Sequence, residues 1–519
     1  MDFAATFRNN RVRIFTLLIL AMLFFAAVQG METKDWVITV MRGLAAGAVV
    51  FLVASGLSLI FGLMDVLNLA HGEIFMLGAF IGWTVYVRPD TFFDVLTPIL
   101  LVAVGFALTP VWNAVLGRWE FKGWLAKLVP WLAILLGLAM IVFSFANYPI
   151  TKWHPDDFGN SPITNALELG QGIFVLPEPL PFEPFHPVVV LMGLLLGGAL
   201  MAMGIAALSR HGKPTTTSKP DRLPYVIAGS LLIMALLIFV ANDALSSWLF
   251  EMNSTWRFFI AMAVTTLFGG LLGGLIESTM IRPLYDRPIY QIMLTLGIGF
   301  IIVEITRAIW GRPSFTMPKP ALWANTGEGC PATSLGEALT NQCSTMLLFD
   351  GRIRTYNEIF IILIGILVLI GIWLLIQRTR LGMIIRAGVQ DSEMVEALGI
   401  NVRRVFTLVF AVGVALATLG GVLAAPSTGL SLEMGVSVLL LALVALAIGG
   451  LSSFPGAAVG AVLVGLMQQF IIKYGGIGIN LPFLEEPFKP SPPLVPASVV
   501  LLMVIILLIL PNGLFGRSD

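Results

Sequence analysis

Three polar residues, Asn68, His71 and Glu73, interrupt the beginning of an otherwise apolar stretch at 66–87. Ionisable groups are costly inside a membrane, so they usually line a cavity or pair with one another. His71 and Glu73 are two positions apart and do not share a face of a regular helix. Gly72 permits a break there, and a broken helix directs backbone polar groups at a substrate. These residues are therefore candidates for a substrate path, the alternative being that Asn68 and Glu73 hold the helix to its neighbours.

Other polar residues lie within long apolar stretches. Thr295 joins the candidate path, and Ser437 offers a similar group, because a neutral hydroxyl makes contacts too weak to trap a substrate. Glu304 and Arg307 are three apart on one helix face and are expected to pair, with a role in the path as the alternative. Glu277 and Arg282, near the cytoplasmic end of a span, are expected to form a local or interhelical ion pair.

A second constellation is a polar island, residues 378–404, between the apolar runs 359–376 and 405–425. Acidic residues favour the N-terminal end of a helix, where the backbone dipole is positive. Gly399 suits the left-handed end of such a helix, and Asn401 suits the cap of the next one. The sequence predicts a helix of about two turns that docks a cytoplasmic partner, through Asp391, Glu393, Met394, Glu396, Ala397, Leu398 and Gly399.

The apolar residues of this island predict which face of the short helix is covered. They recur at helical spacing: Met394, Leu398, Val402 and Val405. The alternative is an amphipathic helix resting on lipid, but its acidic start would be repelled by anionic headgroups.

Several kinds of chemistry are missing from the sequence. It contains no phosphate-binding loop, so ATP hydrolysis by this chain is not expected. It also has no His-Glu-x-x-His zinc motif and no Gly-x-Ser-x-Gly nucleophile elbow. The four histidines are scattered, which argues against a metal site. We predict that the chain is not an enzyme and holds no metal.

The composition identifies the broad class of protein. The 519 residues are 57% hydrophobic and 12% charged, with a mean hydropathy of +0.92. Soluble domains carry about a quarter charged residues, so this chain is predicted to be an all-α, polytopic transmembrane bundle. Its net charge of zero gives no indication of a nucleic-acid partner. Glycines four apart, as in Gly43/Gly47 and Gly270/Gly274, predict closely packed helices.

Apolar stretches of about 17–25 residues can cross a bilayer. Fourteen candidates follow, although the total could be as low as 12: 14–30, 37–62, 66–87, 95–116, 128–147, 187–208, 224–247, 257–281, 290–311, 356–377, 405–425, 436–452, 455–474 and 497–511. The stretch at 66–87 is either a span or a broken, re-entrant segment. The stretch at 14–30 is taken as a first span because no small-residue cleavage site follows it.

Charge fixes the predicted orientation. With both termini cytoplasmic, the inside segments carry 18 of the 30 basic residues, as the positive-inside rule requires. The loops 148–186 and 312–355 then lie outside, in the periplasm if the membrane is a bacterial inner membrane. A Cys330–Cys343 disulfide is predicted there, because such a compartment is oxidising.

Several ordered motifs resemble one family. The island residues Ala387, Gln390-Asp391, Met394 and Ala397-Leu-Gly-Ile400 resemble the coupling loop of ABC-importer permeases of the LivH type, which serve branched-chain amino acids. Further segments resemble other parts of that family: Gly56–Gly62, Asn68–Glu73, Glu277 with Ile281–Leu284, Thr295–Gly297, Gly449–Ala457 and Pro511–Gly516. The resemblance covers about 37–87 and 257–516.

The resemblance implies function and partners. It implies a permease subunit whose path carries branched-chain or other hydrophobic amino acids, with urea or short amides as the alternative cargo. The implied partners are a second permease, identical or different, two ATPase subunits that bind the ATP and Mg²⁺, and a periplasmic binding protein. An ion-driven secondary transporter is the rival class, in which the island is only a connector.

Three regions are predicted. Residues 1–87 hold a first span and the start of the permease core, and 257–519 hold the remainder with the coupling loop 378–404. Residues 88–256 are an inserted block with a proline-rich loop that the family lacks. This block is either a peripheral scaffold or a docking site for another subunit or the binding protein.

Overall fold

The structure is a computed structural model. It describes residues 3–116, 124–209, 222–285, 287–390, 392–397, 399, 401–451, 453–479 and 486–516. Its first ten α-helices are α1 (Phe3–Gln29), α2 (Thr33–Met64), α3 (His71–Val87), α4 (Pro89–Ala107), α5 (Thr109–Leu116), α6 (Leu125–Ala146), α7 (Pro162–Gln171), α8 (Pro187–Ser209), α9 (Leu223–Val240) and α10 (Asn242–Glu251).

The remaining helices are α11 (Ser254–Ile276), α12 (Pro288–Trp310), α13 (Leu335–Thr340), α14 (Ile361–Arg378), α15 (Arg380–Gln390), α16 (Ser392–Ala397), α17 (Val402–Thr428), α18 (Met434–Gly449), α19 (Phe454–Ile477) and α20 (Leu494–Ile509). Two π-helical turns, Glu277–Ile281 and Thr355–Phe360, end α11 and precede α14. Short 3-10 turns occupy Phe158–Asn160, Arg282–Leu284 and Ala321–Trp323.

The prediction of a helical, polytopic bundle is confirmed. Within the described residues, ten helical segments are long and apolar enough to cross a membrane, and Ile14–Val28, Met434–Gly449 and Leu494–Ile509 are shorter apolar helices. The predicted span at 66–87 differs from both groups. Its helix α3 has 17 residues and begins only at His71.

The one sheet within the described residues is a hairpin between α13 and α14. Strand β1 (Thr345–Leu348) pairs antiparallel with β2 (Gly351–Arg354), and Phe349 and Asp350 turn with φ values of 47° and 61°. Positive φ at both turn residues matches the right-handed twist of the strands. Residues 312–354, here called the disulfide lobe, contain this hairpin and a Cys330–Cys343 bridge with a Cα–Cα distance of 5.5 Å.

The chain forms two units. The first, here called the core, contains 1–83, 155–172 and 254–519, and the second, the inserted block, contains 84–154 and 173–253. The block therefore lies within a few residues of the region 88–256 that the family motifs leave uncovered. The proline-bearing loop is divided, because its helix α7 belongs to the core.

Close backbone approaches hold the core together. A Cβ added at Gly47 of α2 would lie 2.9 Å from the Ala461 carbonyl of α19. A Cβ at Gly421 of α17 would lie 1.9 Å from the Phe75 carbonyl of α3. Only glycine fits at such crossings, where the two helix backbones are in van der Waals contact. The packing role predicted for Gly43 and Gly47 is confirmed.

The inserted block packs its own helices. Helix α8 packs against α6 and α4, and α4 also packs against α9. Its core is a cluster of buried side chains: Leu100, Leu101, Tyr148, Ile150, Val190, Leu194 and Ala235. The block thus has a hydrophobic core of its own.

Candidate functional site

The predicted break in the third span lies before His71 rather than at Gly72. Helix α2 ends at Met64, and Asp65 caps it in the left-handed conformation with φ 54°. Residues 65–70, here called the junction segment, are not helical. Non-helical backbone inside a membrane protein persists only where protein or an aqueous cavity satisfies it.

Thr295 of α12 supplies part of that satisfaction. Its Oγ1 accepts the backbone N–H of Leu69 at 3.2 Å and lies 3.4 Å from the Leu67 carbonyl. The Asn68 side chain turns back to accept the N–H of Ala70 at 3.2 Å. Both Asn68 and Thr295 are buried. The structure therefore brings these two predicted residues together, in a contact that fixes the junction segment.

The other two predicted residues diverge. His71 is buried against α2, where a Cβ at Gly56 would lie 2.8 Å from its Nε2. Glu73 points towards α12, where a Cβ at Gly299 would lie 3.4 Å from its carboxyl carbon. The two side chains thus occupy different helix interfaces, as their spacing predicts.

A cavity of about 550 Å³, here called the core cavity, lies beside α3, the helix that follows the junction segment. Its wall includes Ala45, Val49 and Val50 of α2, Phe75 of α3 and Leu441 of α18. Pockets of roughly 300–1,000 Å³ with apolar walls and a few polar groups are typical small-molecule sites. The cavity is therefore the strongest candidate for a substrate-holding site in the core.

The polar lining of the core cavity comes from five segments. It includes Arg42, Arg354, Asn357, Glu358, Ser427, Ser437, Gln468 and Gln469. Arg42 Nε lies 3.4 Å from Glu358 Oε1, and Glu358 Oε2 accepts the backbone N–H of Arg354. Asn357 Oδ1 and Ser427 Oγ are buried and make no hydrogen bond to any described residue.

The polar island forms two helices, α15 and α16, between the end of α14 and the start of α17. Helix α15 follows α14 through Thr379, whose Oγ1 accepts the N–H of Gly382 at 3.1 Å. The predicted short helix is present as α16, and Gly399 follows it with φ 82°. Asn401 Oδ1 accepts the N–H of Arg404, which confirms the predicted cap of α17.

The exposed face of α16 differs from the predicted one. Val395 is buried, whereas Met394 is 61% exposed and does not share the covered face of Val402 and Val405. Glu396 and Ala397 are also exposed. Asp391 and Leu398 lie outside the described residues, as does the side chain of Glu393. The described part of α16 therefore presents a methionine, a carboxylate and an alanine to its surroundings.

Both predicted ion pairs are confirmed. Arg282 binds buried Glu277 at 2.9 Å and also donates to Thr407 Oγ1 at 2.6 Å. This contact joins the end of α11 to the first turns of α17. Glu304 and Arg307 pair at 2.6 Å on α12.

Comparison with known proteins identifies the family. The family model described as "Branched-chain amino acid transport system / permease component" matches residues 198–510, more than half of the chain. The chain belongs to this family. It is a multi-pass membrane protein, and LivH-type permeases are its relatives. No solved structure is detectably similar to it.

Several curated relatives of this permease family match. The permease protein BraD of Pseudomonas aeruginosa, named for high-affinity branched-chain amino acid transport, is 32% identical over 174 residues, 33% of this chain and 51% of BraD. The LivH permease of Escherichia coli is 28% identical over 172 residues, with the same shares. The fructose import permease FruF of Bifidobacterium longum is 34% identical over 130 residues, 22% of this chain and 34% of FruF. The chain spans about half the length of the first two relatives.

The sequence argument for this permease missed Arg42 and Glu358. Both residues interrupt apolar stretches near their ends, as Asn68 and Glu73 do. The same criterion would have selected them, but nothing in the sequence indicates that positions 42 and 358 meet. Their proximity is a product of the packing of α14 on α2.

Proposed function

We propose that this chain is the transmembrane permease subunit of an ABC importer. It forms the translocation path for branched-chain or other hydrophobic amino acids, and ATP hydrolysis in partner subunits drives it. The observation that carries the proposal is the exposed helix α16, which lies between α14 and α17 in the chain while both of these helices also line the core cavity. Family membership supports the same conclusion.

The proposed coupling runs through these helices. Residues 391–399 dock on the ATPase, with Met394, Glu396 and Ala397 at the exposed contact. Because α17 is continuous from Val402 to Thr428, a displacement at its first turn is carried to Ala424 and Ser427 in the cavity wall. Two ATPase subunits hold the ATP and Mg²⁺, and a second permease completes the membrane pathway.

The proposed location is a bacterial inner membrane with both termini in the cytoplasm. The disulfide lobe then lies in the periplasm, where a bridge between Cys330 and Cys343 persists. Arg354 ends the lobe's β2 and also lines the core cavity, so cargo delivered by a periplasmic binding protein enters beside the lobe. Asn68 and Thr295 support this path by holding the junction segment, and His71 and Glu73 lie in the adjoining interfaces of α3 with α2 and α12.

Co-purification tests the proposal. Arginines at Glu396 and Ala397 add bulk and positive charge to an exposed docking helix. We expect Glu396→Arg/Ala397→Arg to lower the amount of ATPase that co-purifies with the permease by about tenfold or more, the loss typical of a central interface residue. The folded permease should elute unchanged in size-exclusion chromatography when the ATPase is omitted.

The chain offers a matched control on another six-residue helix. Leu339 of α13 is 55% exposed, so Leu339→Arg likewise places an arginine on the exposed face of a comparable helix in the disulfide lobe. ATPase co-purification should be unaffected by it. The proposal fails if the purified chain alone accumulates amino acids in liposomes under an ion gradient without any ATPase.

A further inference from the structure

The charged groups of the core cavity lie at one end of it. Along α2 the lining residues run from Arg42 through Ala45 and Val49, a stripe that advances about 1.5 Å per residue. The Thr355–Phe360 turn and α14 also contribute a charged residue followed by an apolar one, Glu358 and then Ile361. The cavity therefore has a charged end and an apolar end.

At the charged end, Glu358 Oε2 accepts the Arg354 N–H, whereas Glu358 Oε1 makes only a long contact with Arg42. The Glu358 side chain is 3% exposed, yet its ion contact with Arg42 measures 3.4 Å. Charge-assisted N–H···O bonds are usually about 2.7–2.9 Å long. Arg42 is 47% exposed, and its guanidinium carries five donors. Arg42 therefore has exposed surface and free donors, and Glu358 Oε1, which lines the cavity, retains hydrogen-bonding capacity.

Two neutral groups in the same lining also lack partners. Asn357 Oδ1 is adjacent to Glu358 in sequence, and Ser427 Oγ lies on α17 across the cavity. Neither atom bonds to any described residue, although both are buried. Buried polar atoms without a partner are unfavourable, so a ligand that satisfies them is favoured.

We propose that Arg42 and Glu358 form a subsite that binds the two opposite charges of one zwitterionic ligand. Arg42 donates to the ligand's carboxylate, and Glu358, aided by Asn357 Oδ1, accepts from its ammonium group. The ligand's apolar body lies towards Val49 and Phe75. This inference rests on the proposed function and deepens it, because it assigns charge selection to the membrane subunit itself.

Family membership alone does not fix the ligand, since one relative is named for fructose. The charges do distinguish ligand classes. A neutral sugar or amide leaves a desolvated carboxylate and guanidinium without full compensation. Sites built to bind a polar group reject analogues that lack it, by factors that reach about 10⁴–10⁵.

The test measures competition with radiolabelled L-leucine on the purified full-length chain in nanodiscs. The competitors are leucine, leucinamide, which lacks the carboxylate, and 4-methylpentanoate, which lacks the ammonium group. We expect each analogue to compete at least about tenfold more weakly than leucine, a difference of about 1.4 kcal/mol. Arg42→Gln should remove the discrimination against leucinamide, and Glu358→Gln should remove that against 4-methylpentanoate.

The exposed pair on α12 provides the control. Glu304→Gln and Arg307→Gln neutralise the same residue types at a surface pair, so the ranking of competitors should be unchanged. ATPase co-purification by Arg42→Gln shows whether this variant still folds and assembles. The proposal is overturned if leucine does not bind up to about 10 mM, a very weak affinity. It is also overturned if both analogues compete as well as leucine, or if each cavity variant weakens all three competitors equally. Failure of the unaltered chain to bind an ATPase would instead contradict the proposed function.

Discussion

The core and the inserted block each enclose a polar cavity, but their acidic residues are used differently. The block cavity, of about 430 Å³, is lined by Asp90, Asp94, Glu178 and Asp243. Asp90 accepts from Arg88 through both carboxylate oxygens, at 3.0 Å to Oδ1 and 2.8 Å to Oδ2. Asp94 accepts from the Thr151 backbone and from Asn242, each at 2.8 Å. The core cavity instead holds a long ion contact and two buried atoms without partners.

The carboxylates of the block cavity hold its helices together, whereas that of the core cavity, Glu358, can bind a ligand. In the block, the two buried carboxylates have short hydrogen bonds within the block, so they join α4 to residue 151 and α10 and have little capacity for a ligand. In the core, Glu358 and Arg42 retain that capacity. A cluster of acids around a cavity is thus weaker evidence for a ligand site than one incompletely paired carboxylate beside a cation.

Two helices of the core cavity, α2 and α17, are buried more deeply than the block's helices, whereas the segment 355–378 that contains α14 is only 22% buried. In α2 and α17, 78% and 72% of the residues in the apolar window are buried, against 17% in α9 of the block. Helices buried on most sides pack through glycine contacts, and a small change there is felt by several neighbours. The block's helices leave most of their surface for lipid.

The largest expected effect comes from adding one methyl group to each kind of helix. Gly421→Ala in α17 places a Cβ 1.9 Å from the Phe75 carbonyl, so the core should lose about 1–3 kcal/mol in its free energy of unfolding. Gly229→Ala in α9 meets no atom within 4 Å and should gain up to about 1 kcal/mol, because alanine is the better helix former. Thermal unfolding in detergent, followed by light scattering, measures the change in unfolding temperature of both variants.

Both variants replace glycine by alanine, so the test is whether their changes in stability have opposite signs. Equal losses of unfolding temperature would mean that α9 is as tightly enclosed as α17. Equal gains would mean that α17 and α3 separate easily, and the cavity wall at Phe75 would then be mobile.

Much of the core's packing was predictable from sequence, and part was not. The small-residue spacing predicts contacts for Gly43/Gly47 and also for Gly270/Gly274. The first pair lies tightly against α19, whereas a Cβ at Gly270 or Gly274 would reach α17 only at an ordinary van der Waals distance of 3.8–4.0 Å. Spacing shows that two glycines share a helix face, but it does not show how closely that face approaches the next helix.

The candidate site shows the same limit. Polar interruptions of apolar runs led to Asn68 and Thr295, which do meet at the junction segment. They did not lead to Arg42 and Glu358, because a charged residue near the end of a span also suits a side chain that extends to the membrane surface. Only the tertiary packing brings these two positions, far apart in sequence, to one cavity.

The effect expected from Asp94→Ala is local to the block. The substitution removes the acceptor for the Thr151 N–H, at a cost of about 1–3 kcal/mol. Hydrogen exchange of residues 148–154 should accelerate roughly 10- to 100-fold, while Asp94→Asn, which keeps one oxygen, should accelerate it less. Leucine competition at the core cavity should not change. A changed ranking of leucine analogues would show that the block also selects ligands.

The smallest expected effect is the titration of Tyr148, which lines the block cavity just beyond α6. Burial raises the pKa of Tyr148 to about 12, against about 10 for an unperturbed tyrosine. Between these values the unfolded chain releases the proton while the folded chain keeps it. The residue's contribution to stability is therefore complete below about pH 10 and is lost as the pH rises towards 12.

The titration of Tyr148 is isolated by subtracting the tyrosinate absorbance of Tyr148→Phe from that of the wild type. We expect the difference to appear near pH 12, and the unfolding temperature of Tyr148→Phe should fall less steeply between pH 10 and 12 than that of the wild type. A difference that appears near pH 10 would mean that water reaches the phenol freely. The block cavity would then be as open as the core cavity, and the contrast between a fastened block and a ligand-binding core would lose one of its supports.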